Sequence, residues 1–210
     1  MSFKQYTNIG LVMEEFQITY QEEDFIQPLE FTIDEAFLKE FQFVKRYIDI
    51  RMSEFAICEN ILYPILKEVY KKYAEAFSLW SHKAIRYDKK LSGEPDYVVT
   101  TRSKLGKVVL GRPLVLVVEA KKNDFDQGWG QCLAEMVALQ KLNDAPAFAV
   151  YGIVSDGEVW EMGRLVESTY TKQQPSFTTN DLKELFGAID FVMNALKRSL
   201  EPVTSTKHER

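Results

Sequence analysis

With 210 residues, 46% of them hydrophobic and 13% aromatic, the chain has material for one buried core and is short for two. A net charge of -5 argues against a broadly basic surface; two histidines give histidine-based catalysis or metal binding almost no material, so metal chemistry is expected to rest on carboxylates, and two unpatterned cysteines suggest neither a zinc site nor a disulfide framework. The longest aliphatic run, Leu114 to Val118, is far too short to cross a bilayer, and Met1 to Gln5 lead into no secretory apolar segment, so a soluble protein of the reducing cytoplasm is expected, with no membrane partner.

In chain order, residues 14 to 20 suggest a short strand, and Thr32-Ile33-Asp34-Glu35 reads as a capping box opening a helix to about Tyr47. Residues 1–52 therefore look like an N-terminal appendage to a single domain whose motif-bearing core covers 53–155. From Ser53 to about Phe77 the apolar residues Phe55, Cys58, Ile61, Leu62, Ile65, Leu66, Val69 and Tyr73 keep a helical period, and Pro64 should kink or break the helix. Glu54 falls near the middle of that apolar arc, which aims it inward; the alternative is a solvated acid of the first turn, favoured by the helix dipole.

Strand-like segments follow at Leu79 to Arg86, Asp96 to Thr101 and, after a turn at Ser103 to Gly106, Lys107 to Lys121, the last bulged by Gly111-Arg112-Pro113. Alternation along the last strand puts Glu119 and Lys121 on one face with Val117 and Val115, so two charges end an otherwise apolar face. Asp124 and Gln127 can cap a helix to about Leu142. Residues 147–154 and 158–165 form a hairpin turning at Ser155-Asp156-Gly157, and a last helix covers about Asn180 to Leu200, so 156–210 supply a hairpin strand and a C-terminal helix. This order predicts an α/β or α+β fold with a central mixed β-sheet flanked by helices.

Charge is unevenly spread. Residues 1 to 40 hold nine acids against Lys4 and Lys39, whereas residues 83 to 122 hold ten Lys/Arg against four acids, so basic charge gathers around Asp96 and Glu119. Solvated lysines on hairpin strands are the plain alternative.

Ser53-Glu54 in a helix, Gly93-Glu94-Pro95-Asp96-Tyr97 opening a strand, Val117-Val118-Glu119-Ala120-Lys121-Lys122 closing the next, and Gln131 in the following helix together resemble the PD-(D/E)xK nuclease superfamily, with its restriction endonuclease-like core. The likeness is greatest to the N-terminal nuclease domain of type I restriction enzyme motor subunits and their stand-alone relatives, over roughly residues 53–155. It implies a Mg²⁺-dependent nuclease, a hydrolase of nucleic-acid phosphodiesters, with DNA as the favoured substrate and Mn²⁺ as a substitute metal.

Mg²⁺ prefers oxygen ligands in octahedral geometry, so Asp96, Glu119 and the Ala120 carbonyl suffice as a protein shell, and Lys121 would orient water or offset developing charge. In the superfamily the helical acid, here Glu54, often reaches the metal, and Gln131 matches the helical glutamine. Relatives with Gln-x-x-x-Tyr carry tyrosine where this chain has Glu135, so the spacing is not kept. On the helical wheel Gln131 also lies opposite the stripe of Trp129, Cys132, Leu133 and Met136, which leaves surface and site equally open.

Plainer readings make Asp96 a strand-start acid, Glu119 with Lys121 a same-face ion pair, Glu94 a loop acid and Lys122 a solvated lysine. No separate DNA-reading module is present, so specificity would come from a homodimer or a partner protein. Other readings of the same residues are a non-catalytic binding or regulatory module that keeps the fold, and a phosphoesterase acting on a small molecule.

Overall fold

The computed structural model describes residues 2–201, so His208 lies outside the described residues. A central mixed sheet is flanked by helices on both faces. In chain order the elements are a 3-10 turn Phe3–Gln5, α1 Ile9–Phe16, β1 Thr19–Glu23, α2 Glu35–Tyr47, α3 Glu54–Ile57, a π-helical segment Cys58–Leu62 and α4 Tyr63–Tyr70. Next come β2 Phe77–Ser81, β3 Ile85–Arg86, β4 Ser92–Gly93, β5 Tyr97–Thr101, β6 Leu114–Ala120 and α5 Phe125–Asn143. The chain closes with β7 Val150–Ser155, β8 Val159–Val166, β9 Thr169–Gln173, β10 Phe177–Thr178 and α6 Leu182–Ser199.

The main sheet has the order β1-β9-β8-β7-β6-β5-β2, with β10 paired to β8. β1/β9 and β6/β7 run parallel and the other neighbours antiparallel. Two parallel neighbours require a crossover, and α5 is the one between β6 and β7. One face of the sheet packs Val99, Leu116 and Val118 against α3–α4 and α6, and the other packs Val98, Val117 and Val154 against α5 and the N-terminal segment. Both cysteines are free and buried, and no helix among the described residues is long and apolar enough to cross a membrane.

The N-terminal 52 residues are not an appendage. β1 extends the sheet as a parallel edge strand on β9, and Phe3, Tyr6 and Val12 are core residues. A side-chain carbon on Gly130 of α5 would stand 2.4 Å from the Tyr6 carbonyl and 2.5 Å from the Asn8 nitrogen, so the segment lies directly on the helix backbone. The strand expected at 14–20 starts only at Thr19. Asn8 caps α1 by accepting from Leu11 N–H, and the helix runs on to Phe16 before Gln17 turns into the left-handed region at φ 54. The cap of α2 is Asp34, accepting from Ala36 N–H, rather than Thr32.

Pro64 leaves the helix unbroken. Lacking an N–H, it is accommodated by the preceding π segment, in which the Asn60 side-chain amide donates to the Ala56 carbonyl at 2.9 Å. Phe55, placed on the apolar arc, is instead exposed. The strand expected at 79–86 divides at His82, whose φ of 48 ends the ladder. The one expected from Lys107 begins only at Leu114, after residues 102–113 form an irregular connection. Register slips between Val99 and Thr100, which pair with Leu116 and Leu114, so Val115 bulges out and joins the Val118 face instead of the Val117 face.

Candidate active site

Asp96, Glu119 and Lys121 converge because β5 and β6 are antiparallel neighbours and the start of one lies beside the end of the other. The register pairs Tyr97 with Val118. Asp96 Oδ2 accepts the Ala120 N–H at 2.8 Å, and Glu119 Oε1 accepts the Asp96 N–H at 3.3 Å, which laces the two acids across the strand ends. Lys121 Nζ stands 3.6 Å from Glu119 Oε2 and 3.8 Å from Glu54 Oε1. These residues line a cleft of about 480 Å³ together with Lys4, Phe55, His82, Gly93, Glu94 and Gln131. A cavity of about 690 Å³ between residues 29–33 and the start of α6 is larger, but its Asp181 is committed to capping that helix.

Glu54 is the first residue of α3, its side chain 49% exposed, so it is at once the first-turn acid and a wall of the cleft. Gln131 is buried, with Nε2 donating to Glu119 Oε2 at 2.8 Å and to Glu135 Oε1 at 3.1 Å. The helical wheel misplaces it because α5 is buried on every side from Gly128 to Leu139, by the sheet on one face and by the N-terminal segment on the other. Glu94 is exposed at the rim, and Lys122 is exposed outside the cleft.

The structure adds three residues. His82 reaches the cleft because its N–H donates to the Asp96 carbonyl at 2.9 Å, one step beyond the β2/β5 ladder, so histidine does belong to this site. Lys4 arrives on the N-terminal turn, whose Phe3 ring packs on Gly93. Glu135, one helical turn beyond Gln131, is fully buried with its Oε2 unpaired by any donor among the described residues. Only the broken Gln-x-x-x-Tyr spacing marked Glu135 in the sequence.

Basic charge surrounds the site only in part. Arg102, Lys104, Lys107 and Arg112 sit on the connection beyond the far end of β5, a strand of roughly 17 Å. The turn carrying Lys89 and Lys90 also lies away from the cleft, beside the C-terminal end of α5 where Lys141 covers the Tyr87 ring, and Lys90 is tied to Glu15.

Within the cleft the balance is acidic: Glu54, Asp96, Glu119 and Glu135 lie around Lys121. Burial raises the Asp96 carboxyl above its usual range against the opposing pull of the Ala120 N–H and of Lys121. Burial and the Asp96 charge raise Glu119; burial and the Glu119 charge raise Glu135, whose carboxyl is within hydrogen-bonding reach of Glu119. Burial alone would lower Lys121, but Glu119, Glu54 and Asp96 outweigh it and hold the ammonium above its ordinary value. The acids around it therefore hold Lys121 as the ammonium.

The donor set fits a hard divalent cation. Asp96 and Glu119 offer carboxylate oxygens, and because the N–H and C=O of one strand residue face the same edge, the Ala120 carbonyl shares the Asp96 side with its N–H. Excess buried negative charge is what such an ion would offset.

The Glu119–Glu135 pair yields a pH prediction for protein kept in a chelator. Both acids bind a proton more tightly folded than unfolded, so stability is full below about 4.5, the ordinary glutamate value, and falls as pH rises from there. Glu135→Gln keeps an acceptor for Gln131 and gives Glu119 a permanent donor. We expect urea denaturation to show it more stable than wild type by about 1–3 kcal/mol at pH 8 and nearly equal at pH 5. Parallel pH profiles for the two proteins would contradict the shared-proton arrangement.

Neither the protein-family models nor the curated proteins contain a match to this sequence.

Proposed function

We propose that the protein is a divalent-cation-dependent nuclease of the PD-(D/E)xK type, hydrolysing nucleic-acid phosphodiesters with Mg²⁺ or Mn²⁺. The observation that carries this reading is the convergence of Asp96, Glu119 and Lys121 at the ends of adjacent strands, with Glu54 and Gln131 in the same cleft. Asp96 and Glu119 would hold the ion, which would supply Lewis acidity toward the scissile phosphate and water. Gln131 fixes the Glu119 carboxylate by its 2.8 Å bond, and Lys121 holds positive charge where negative charge grows in the transition state. Lys4 offers a phosphate contact at the mouth, and DNA, a dimer or a specificity-giving partner belong to this proposal.

The test is incubation of the full chain with labelled single- and double-stranded DNA and RNA in Mg²⁺, in Mn²⁺ and in EDTA. Cleavage confined to the metal-containing reactions is expected, and the substrate that is cut names the nucleic acid. Metal binding without cleavage of any substrate would favour the non-catalytic module; absence of both would overturn the metal site itself.

A further inference from the structure

We infer that His82 is a nitrogen ligand of the same metal site, and that it biases the site toward Mn²⁺ and other first-row transition ions over Mg²⁺. The inference rests on the proposed metal site and adds a donor to it. His82 Nε2 stands 3.6 Å from Asp96 Oδ1. That is too far for a hydrogen bond, whereas donors about 2.1 Å from one ion stand about 3 Å apart at right angles and about 3.6 Å apart at 120°. Donor atoms of His82, Asp96 and Cys58 all lie within 4.8 Å of one another. Cys58 is buried, and its soft sulfur suits neither Mg²⁺ nor Mn²⁺, which leaves imidazole and carboxylate as the donors.

The imidazole is held in place. Its ring stacks on Phe55 at 5.9 Å between centroids and meets Tyr97 edge-on at 6.1 Å. Nδ1 lies 2.8 Å from Ser81 Oγ, and with Nδ1–H donating to that hydroxyl the Nε2 lone pair faces Asp96, the arrangement by which ligating histidines are oriented. The backbone at His82 is in the left-handed region at φ 48, a conformation that costs energy and is retained where a side chain must be aimed. It also explains the exposed Phe55: the ring that fails to join the core forms one side of the histidine clamp.

Mg²⁺ selects oxygen and gains little from imidazole, whereas first-row transition ions accept nitrogen readily. The decisive comparison is wild type against His82→Gly, a substitution at home at positive φ that removes the donor. Mn²⁺ and Mg²⁺ affinities are measured by calorimetry on the full chain, and the Mn²⁺-loaded proteins are examined for ¹⁴N coupling by electron spin-echo spectroscopy. The expected result is ¹⁴N modulation in wild type that is absent in His82→Gly and returns on adding free imidazole, with the Mn²⁺-over-Mg²⁺ preference reduced about tenfold in the variant. Tight Mn²⁺ binding without nitrogen coupling, and with the preference unchanged, would overturn the His82 assignment while leaving the metal site standing. Failure of wild type to bind either ion would overturn both.

Discussion

Asp96→Asn is expected to lower metal-dependent cleavage by about 10³-fold or more while leaving the folded structure intact. The amide oxygen can still accept the Ala120 N–H that Asp96 Oδ2 now takes at 2.8 Å, so the lacing of β5 to β6 survives. What disappears is one of the two charged oxygens between which the ion would sit. Because burial already raises the wild-type carboxyl against Glu119, a neutral side chain also relieves repulsion, and the melting temperature in EDTA should be unchanged or slightly higher. Saturating Mg²⁺ separates the two proteins. An ion at 100 times its Kd stabilises the folded state by about 2.7 kcal/mol, so wild type should gain several degrees and Asp96→Asn almost none. If neither protein responds to metal and the variant melts lower in EDTA, Asp96 is a strand-start acid with a structural task.

The paired acids could be read from the sequence because they obey a local rule: charges that end an apolar strand or open the next one lie at strand ends, where sheets expose their chemistry. Asp96, Glu119 and Lys121 are of this kind, whereas Glu54 and Gln131 entered through the family resemblance, Glu54 with the support of its place on the apolar arc and Gln131 against its place on the helical wheel. What was not legible arises from pairing between distant segments. His82 joins the site because β2 stops one residue short of it beside β5, whereas the periodic pattern ran that strand on to Arg86. Lys4 arrives because residues 3–8 settle on α5, and the same covering buries Gln131 and Glu135 on a face that looks outward on a helical wheel. The displaced Val115 shows the limit within a single strand. Alternation assigns faces only while register is kept, and one bulged residue reverses the assignment on its far side. The mixed sheet with flanking helices was nevertheless predictable, since the order of periodic segments survives such local slips.

Lys121→Met separates binding from chemistry. The thioether keeps most of the buried stem, which packs closely under Gly128, where an added side-chain carbon would stand 2.8 Å from Lys121 Cγ. The charge is lost from a position 3.6 Å from Glu119 and 3.8 Å from Glu54. Cleavage should fall by about 10²–10³-fold, whereas affinity for Mn²⁺ should hold or increase, because the remaining acids attract the ion without competition. That is the reverse of Asp96→Asn, which loses both.

Stability carries a second signature. Removing one partner from a buried charge cluster costs about 3–5 kcal/mol, and in EDTA at pH 8 a loss of that order is expected for Lys121→Met. Because Lys121 itself stays protonated across the neutral range, the pH dependence comes from the acids: with their raised values they take up protons as pH falls toward 5, and the loss should shrink there. Saturating Mg²⁺ at pH 8 should restore most of it by supplying the missing positive charge. A deficit that persists equally at pH 5 and in Mg²⁺ would instead assign Lys121 to packing, and with it the Glu119–Lys121 pair to the architecture of the sheet rather than to catalysis.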